Sequence, residues 1–224
     1  MIQTAVGKTG DLNCSENARD SANENARCVP IAMGPATPSL SDVFRQTLDR
    51  LGIDDYVLRE RVLLIHAPGT RCPTTKLDIL AVTPFGAFVV MAMQLRGCVA
   101  PGPDAETLSV INEEGEAMLH TSPLRRQAAA VRCLRSLLLP HACPVESLGV
   151  VATFPCVLHP LLPESILEAA ELYHYLRLRT IRFFSSRQRH VSVARVVDVI
   201  KTRLDSRPEA FDEHCARMIA LRPR

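Results

Sequence analysis

The sequence predicts an α/β sandwich, a mixed β-sheet flanked by helices. Three observations carry that expectation. Two apolar runs, Lys76–Val82 and Ala87–Leu95, flank a Pro84-Phe85-Gly86 turn and read as a buried hairpin. Helical periodicity precedes this hairpin from Asp42 and follows it from Pro123. A buried strand, Val145 to Phe154, then leads towards an amphipathic helix, Val191 to Leu204. Helix, hairpin, helix, strand and helix in that order describe layers around a mixed sheet.

The composition suits one such domain. The chain has 224 residues, 47% hydrophobic and 22% charged, enough for a real core plus some extra length. It has no Trp, so the core must be built from Leu, Val, Ile, Ala and Met. A net charge of +2 argues neither for nor against a nucleic-acid partner.

Residues 1–38 are rich in Asn, Ser, Thr, Ala and Gly and carry Pro30, Pro35 and Pro38. Such a segment buries too little apolar surface to offset its ordering entropy and is expected to be a flexible arm. A secretion or docking signal within it is the alternative. The folded domain is expected over 39–205, with a helical or flexible tail over 206–224. Within it, Ser39 to Asp42 offers helix-capping groups, Val43, Phe44, Thr47, Leu48 and Leu51 recur at helical spacing, and Gly52 ends the run. Tyr56–Leu58 and Arg61–His66 read as two strand-like pieces, and Ala67–Thr74 as a loop. Residues 98–120 suggest loop and short strands. Ser122-Pro123 opens a helix with Pro in its first turn, carrying Leu124, Ala128, Val131, Leu134, Leu137 and Leu138 on one face and stopping before Pro140. A short strand is expected around Thr180–Phe184.

Eight cysteines lie scattered without a CxxC pair, and residues 1–30 have no apolar run of the signal-peptide kind. Both features point to free thiols in a reducing cytoplasm. The longest apolar stretch, Ile79 to Met93, is broken by Pro84 and Gly86 and is too short to span a bilayer, so no membrane partner is expected.

From about Ser41 to Leu204 the chain resembles the nuclease-related domain, the NERD domain of bacterial and plasmid proteins, which is grouped with the PD-(D/E)XK nucleases. The resemblance rests on the leading helix, on Asp78 before a strand, on Thr83-Pro84-Phe85-Gly86-Ala87-Phe88-Val89-Val90, on Gly97, and on Ser122-Pro123 with Gln127, which look like the family's Asn-Pro…Gln box. It implies a restriction-endonuclease-like fold. In such nucleases an Asp and a Glu hold a divalent metal while a Lys orients or polarises the attacking water.

Carried over residue by residue, Asp78 matches the Asp, but Met91 stands where Glu is expected and Met93 where Lys is expected. Thioethers are poor ligands for Mg²⁺, which takes hard oxygen donors. The expectation is a degenerate site with no catalytic residues, vestigial at Asp78, Met91, Met93 and Gln127, and no cofactor. Lys76, two residues before Asp78 on the same strand, is a candidate substitute for the lost lysine. Glu106, Glu113, Glu114 and Glu116 follow in the next segment as candidate carboxylates. Mg²⁺ enters only if such a site is reconstituted. The plainer alternative makes the two methionines ordinary packing material and Asp78 a lone hydrogen-bonded polar residue.

Other constellations carry less. His141, Cys143, Cys156 and His159 are all residue types that bind zinc, but Pro144 and Pro155 constrain them, and packed thiols with surface histidines are the plainer reading. No P-loop, G-x-G-x-x-G or G-x-S-x-G elbow is present. Basic residues concentrate locally. Arg125 and Arg126 open the second helix, and Arg182, Arg187 and Arg189 lie in a run with one acid, Asp198. If these shared a face they would track phosphates; a solvated basic surface is the competing reading. The function expected from sequence is therefore a catalytically inactive NERD-like pseudonuclease that binds DNA or a protein partner. An active nuclease using Asp78, Lys76 and a migrated carboxylate, and a pure protein-interaction module, are the alternatives. Oligomeric state is left open.

Overall fold

A computed structural model describes residues 38–152, 156–186 and 189–221. The predicted flexible arm lies outside the described residues, apart from its final residue. Five helices flank two mixed sheets, so the α/β sandwich expected from sequence is present.

The first helix, α1 (Leu40–Arg50), starts at Ser39. The Ser39 hydroxyl accepts from the Asp42 amide and the Asp42 carboxylate accepts from the Ser39 amide, a reciprocal box that satisfies two amides left over at the helix start. Phe44, Thr47 and Leu48 fall on its buried side, and Gly52, at φ 69°, turns the chain out of it.

Next come β1 (Val57–Ile65), β2 (Thr74–Thr83) and β3 (Gly86–Met93), an antiparallel meander. The two strand-like pieces of the sequence are one strand. They meet at Arg61, whose φ of 48° puts it in the left-handed region, and the β1–β2 ladder skips the Arg61–Asp78 step. Leu77, Leu80 and Val82 all belong to one apolar cluster, so the two-residue alternation of β2 breaks once, beside Asp78.

Three short strands follow: β4 (Gly97–Pro101), β5 (Thr107–Ile111) and β6 (Ala117–Thr121). Gly97 is required at the first turn. Its φ is 97°, and a Cβ there would run into the Ile111 carbonyl. Then come α2 (Pro123–Leu138) and β7 (Val145–Val151), which returns parallel to β3. The strands β8 (Cys156–Leu158) and β9 (Ile166–Glu168) precede α3 (Leu172–Ser185), α4 (Val193–Lys201), β10 (Leu204–Asp205) and α5 (Ala210–Ala220). The main sheet runs β10-β1-β2-β3-β7-β9 and the second β6-β5-β4-β8.

The side-chain alternation of β2 and β3 assigns the helices to faces. Leu80, Val82, Ala87 and Val89 pack under α2 and α4; Ile79, Ala81, Phe88 and Val90 pack under α1 and α3. A third cluster, including Met93, Val99, Leu108, Val110, Val151, Cys156 and Ile166, joins the two sheets.

One local expectation is corrected. Thr180–Phe184 is not a strand but part of α3. Leu172, Leu176, Thr180 and Phe183 recur at helical spacing and are its buried residues, and this long period outweighs a five-residue β-branched and aromatic signal. The amphipathic helix expected over Val191 to Leu204 is α4, Val193–Lys201. Residues 210–220 form α5, tied to β2 by a 2.9 Å hydrogen bond between Thr74 Oγ1 and His214 Nδ1.

Candidate functional site

The β2–β3 ladder runs from Thr83–Gly86 down to Ile79–Val90 and stops. Below that point β2 continues beside β1, and β3 continues beside β7, so the strands fork. Asp78 sits in the fork. Its Oδ2 accepts from the Ala92 amide at 3.1 Å, taking the place of a ladder carbonyl. Its Oδ1 lies 3.4 Å from Lys76 Nζ. The side chains of Lys76 and Asp78 are 46% and 29% exposed, so the pair is screened by solvent.

The rest of the expected site is hydrocarbon and sulfur. Met91 and Met93 are each 7% exposed. They border a cavity of about 220 Å³ that also touches Leu108, His120, Pro123 and Arg126. Gly149 on β7 keeps this region tight, because a Cβ there would collide with Pro123 at the start of α2 and press on the Met93 methyl. Glu106, a candidate migrated carboxylate, pairs with Arg125 at 3.2 Å, and Glu114 and Glu116 are placed near the Asn112 amide. Among the described residues no three His, Cys, Asp or Glu side chains come together in a metal-binding group. The residues at the fork do not fit a Mg²⁺ ion.

Gln127 is fully buried on α2 and serves the backbone. In the amide orientation that satisfies every neighbour, its nitrogen donates to the Val89 carbonyl (3.0 Å) and to Ser147 Oγ (2.5 Å), and its oxygen accepts from the Met91 amide (2.7 Å). The side chain thus clamps the β3–β7 seam beside the fork. Asp78 and Gln127 secure consecutive amides of β3, those of Ala92 and Met91.

The arginines divide. Arg125 and Arg126 are on α2 and Arg182 is on α3, and these helices cover opposite faces of the main sheet, so the three do not form one patch. Arg189 is exposed in the segment before α4, and Arg187 lies outside the described residues. The zinc-type residues also separate: Cys143 belongs to the cluster under α2 and Cys156 to the one between the sheets. Burial pushes the Cys143 thiol up to about 11.

Two features had no signal in the sequence. Tyr175, Glu146 and Arg179 form a half-buried network in which Tyr175 donates to Glu146 (2.7 Å) and Arg179 donates to Tyr175 (3.0 Å). Burial, then the Glu146 hydrogen bond, raises the Tyr175 hydroxyl to about 12, so it stays a donor. The second feature is a pair of histidines. Burial lowers His66; the Thr74 backbone pulls the other way and Arg132 adds to the lowering. Burial lowers His214 too, with Arg217, Lys76 and His66 adding to it.

These shifts set a pH dependence. Both groups have folded pKa values below the 6.5 of the free side chain. The unfolded chain therefore binds protons more readily, and the stabilisation is present above that value and lost as pH falls through the lowered folded value. The melting temperature should drop between about pH 7 and about pH 5, and a His66→Gln, His214→Gln variant should flatten that slope. A melting temperature that holds steady or rises over this interval would contradict the assignment.

No family model, curated protein or solved structure matches the chain.

Proposed function

We propose that this chain is a non-catalytic protein on a restriction-endonuclease-like scaffold, a NERD-like pseudonuclease that works by binding, with DNA as its partner on the α2 side. The observation that carries the first half is the fork. Its one carboxylate is committed to a backbone amide and a lysine, and its neighbours are Met91 and Met93. Support for the scaffold is the order on which the resemblance rests: leading helix, hairpin, helix, strand. Support for DNA is the charge of α2, which carries Arg125, Arg126, Arg132 and Arg135 and no acidic residue. Arg195 and Arg203 belong to α4 and the turn after it, on the same face, where Asp198 and Lys201 neutralise each other.

Two measurements test this reading. Incubated with supercoiled DNA and Mg²⁺ or Mn²⁺, the protein should leave the substrate intact. It should also bind a short duplex with an affinity that falls roughly a hundredfold between about 50 and about 200 mM salt, as about four phosphate contacts require. Cleavage that disappears in Asp78→Ala would establish an active nuclease instead. Binding that is absent, or indifferent to salt and to Arg125→Ala, Arg126→Ala, would favour the protein-interaction reading. That reading has its own observation: Leu178, Ile181 and Phe184 stand half-exposed on α3.

A further inference from the structure

On the α2 side a cavity of about 690 Å³ opens between the end of β1, the middle of α2 and the turn after α4. That volume lies in the range of small-molecule sites. Its polar lining is His66, Arg132, Cys133, Ser136 and Arg203. No acidic side chain lines it, and neither Arg132 nor Arg203 has a carboxylate partner among the described residues. Two guanidiniums from separate elements therefore face one space with their charge uncompensated. Such groups offer planar, paired donors matched to the oxygens of a phosphate. The Ser136 hydroxyl and the His66 ring add neutral donors at the same rim. The Cys133 thiol borders the space and donates to the Ile65 carbonyl at 3.8 Å.

We infer that the cavity bounded by His66, Arg132, Ser136 and Arg203 is a binding site for a phosphate-bearing ligand. Its size suits a phosphorylated small molecule of about nucleotide dimensions. The same chemistry could be supplied by a phosphate of a DNA backbone reaching the open mouth. The inference stands apart from the catalytic status of the fork and needs no DNA binding elsewhere on the helix face. Three elements far apart in sequence supply the lining, and α2 carries the largest part.

The experiment is calorimetric titration of the full chain with pyrophosphate and, separately, with AMP, repeated in Arg132→Gln and Arg203→Gln. Both arginines are exposed, so these substitutions leave the core untouched. Saturable binding is expected, with each variant raising Kd about tenfold or more, as loss of a charge-assisted hydrogen bond does. Bound ligand should also slow alkylation of Cys133, read by peptide mass spectrometry, while leaving that of the exposed Cys215 unchanged. A short duplex added in competition separates the sources. Displacement of pyrophosphate assigns the site to a backbone phosphate, and persistence of its binding assigns it to a small molecule; either supports the site. No heat from either probe at about 10 mM, or equal affinity in wild type and both variants, would overturn it. Failure of the duplex to bind at all would count against the DNA reading and leave the pyrophosphate result standing.

Discussion

Replacing Gln127 by Leu should destabilise the protein by about 3 kcal/mol. Leucine fits the volume and favours the helix, so neither packing nor propensity is the main loss. What disappears is an amide whose two ends serve three groups: the Val89 carbonyl, the Ser147 hydroxyl and the Met91 amide. Each intramolecular hydrogen bond contributes about 1 kcal/mol, and three are lost together here, while the Val89 carbonyl and the Met91 amide keep their ladder bonds to β7. In a domain of this size the melting temperature should fall by roughly 6–12 °C. Urea unfolding should show a lower midpoint at unchanged slope, since the surface exposed on unfolding stays the same. Ser147→Ala removes one partner and keeps the amide, so it should cost only about 1 kcal/mol. An unfolding midpoint for Gln127→Leu that coincides with wild type would mean the clamp contributes nothing and that the seam holds through its ladder alone.

The role of Gln127 marks the limit of what the sequence reveals. Its place near Ser122-Pro123 is readable, but that its side chain turns inward depends on β7 lying parallel to β3, and no local pattern encodes that pairing. The elements that were legible are those whose signals are local. Ser39 and Asp42 cap α1 through three-residue spacing, Pro84-Phe85-Gly86 turns the hairpin, and Pro123 starts α2. Where a local signal competed with a longer period, the longer period prevailed, as at Thr180–Phe184 within α3. The break in β1 was visible as two strand-like pieces, but the left-handed Arg61 that joins them was not. Its conformation belongs to the irregular crossing beside Asp78, where both strands lose a step of their ladder. The basic cavity was invisible for a simpler reason. His66, Arg132 and Arg203 are each unremarkable in sequence and acquire a shared meaning only when α2 and the end of α4 meet the end of β1.

The reading of the fork makes one demand that plain core packing does not. If Met91 occupies the position of a lost metal-binding carboxylate, Met91→Glu should rebuild an oxygen pair with Asp78. Continuing the Ile79–Val90 register by one residue sets position 91 across from Asp78, and the Asp78 carboxylate already holds the next amide, that of Ala92. Without metal the new carboxylate is nearly buried beside another, so desolvation and like charge both work against ionisation, and the variant should melt well below wild type in a chelator. A bound divalent ion reverses both effects, since it repels neither oxygen and replaces the lost hydration. Binding only to the folded form stabilises by mass action, about 2.7 kcal/mol at a hundred times Kd. Millimolar Mn²⁺ should therefore restore several degrees of melting temperature to Met91→Glu and nothing to the wild-type chain. Adding Asp78→Asn to the variant should abolish the restoration, because one carboxylate cannot hold the ion. Met93→Lys is a poor companion mutation, since Met93 packs within the cluster joining the sheets and a lysine there would bury its charge. Should Mn²⁺ leave the melting of Met91→Glu where the chelator put it, position 91 is core in both lineage and function, and the fork was never a metal site.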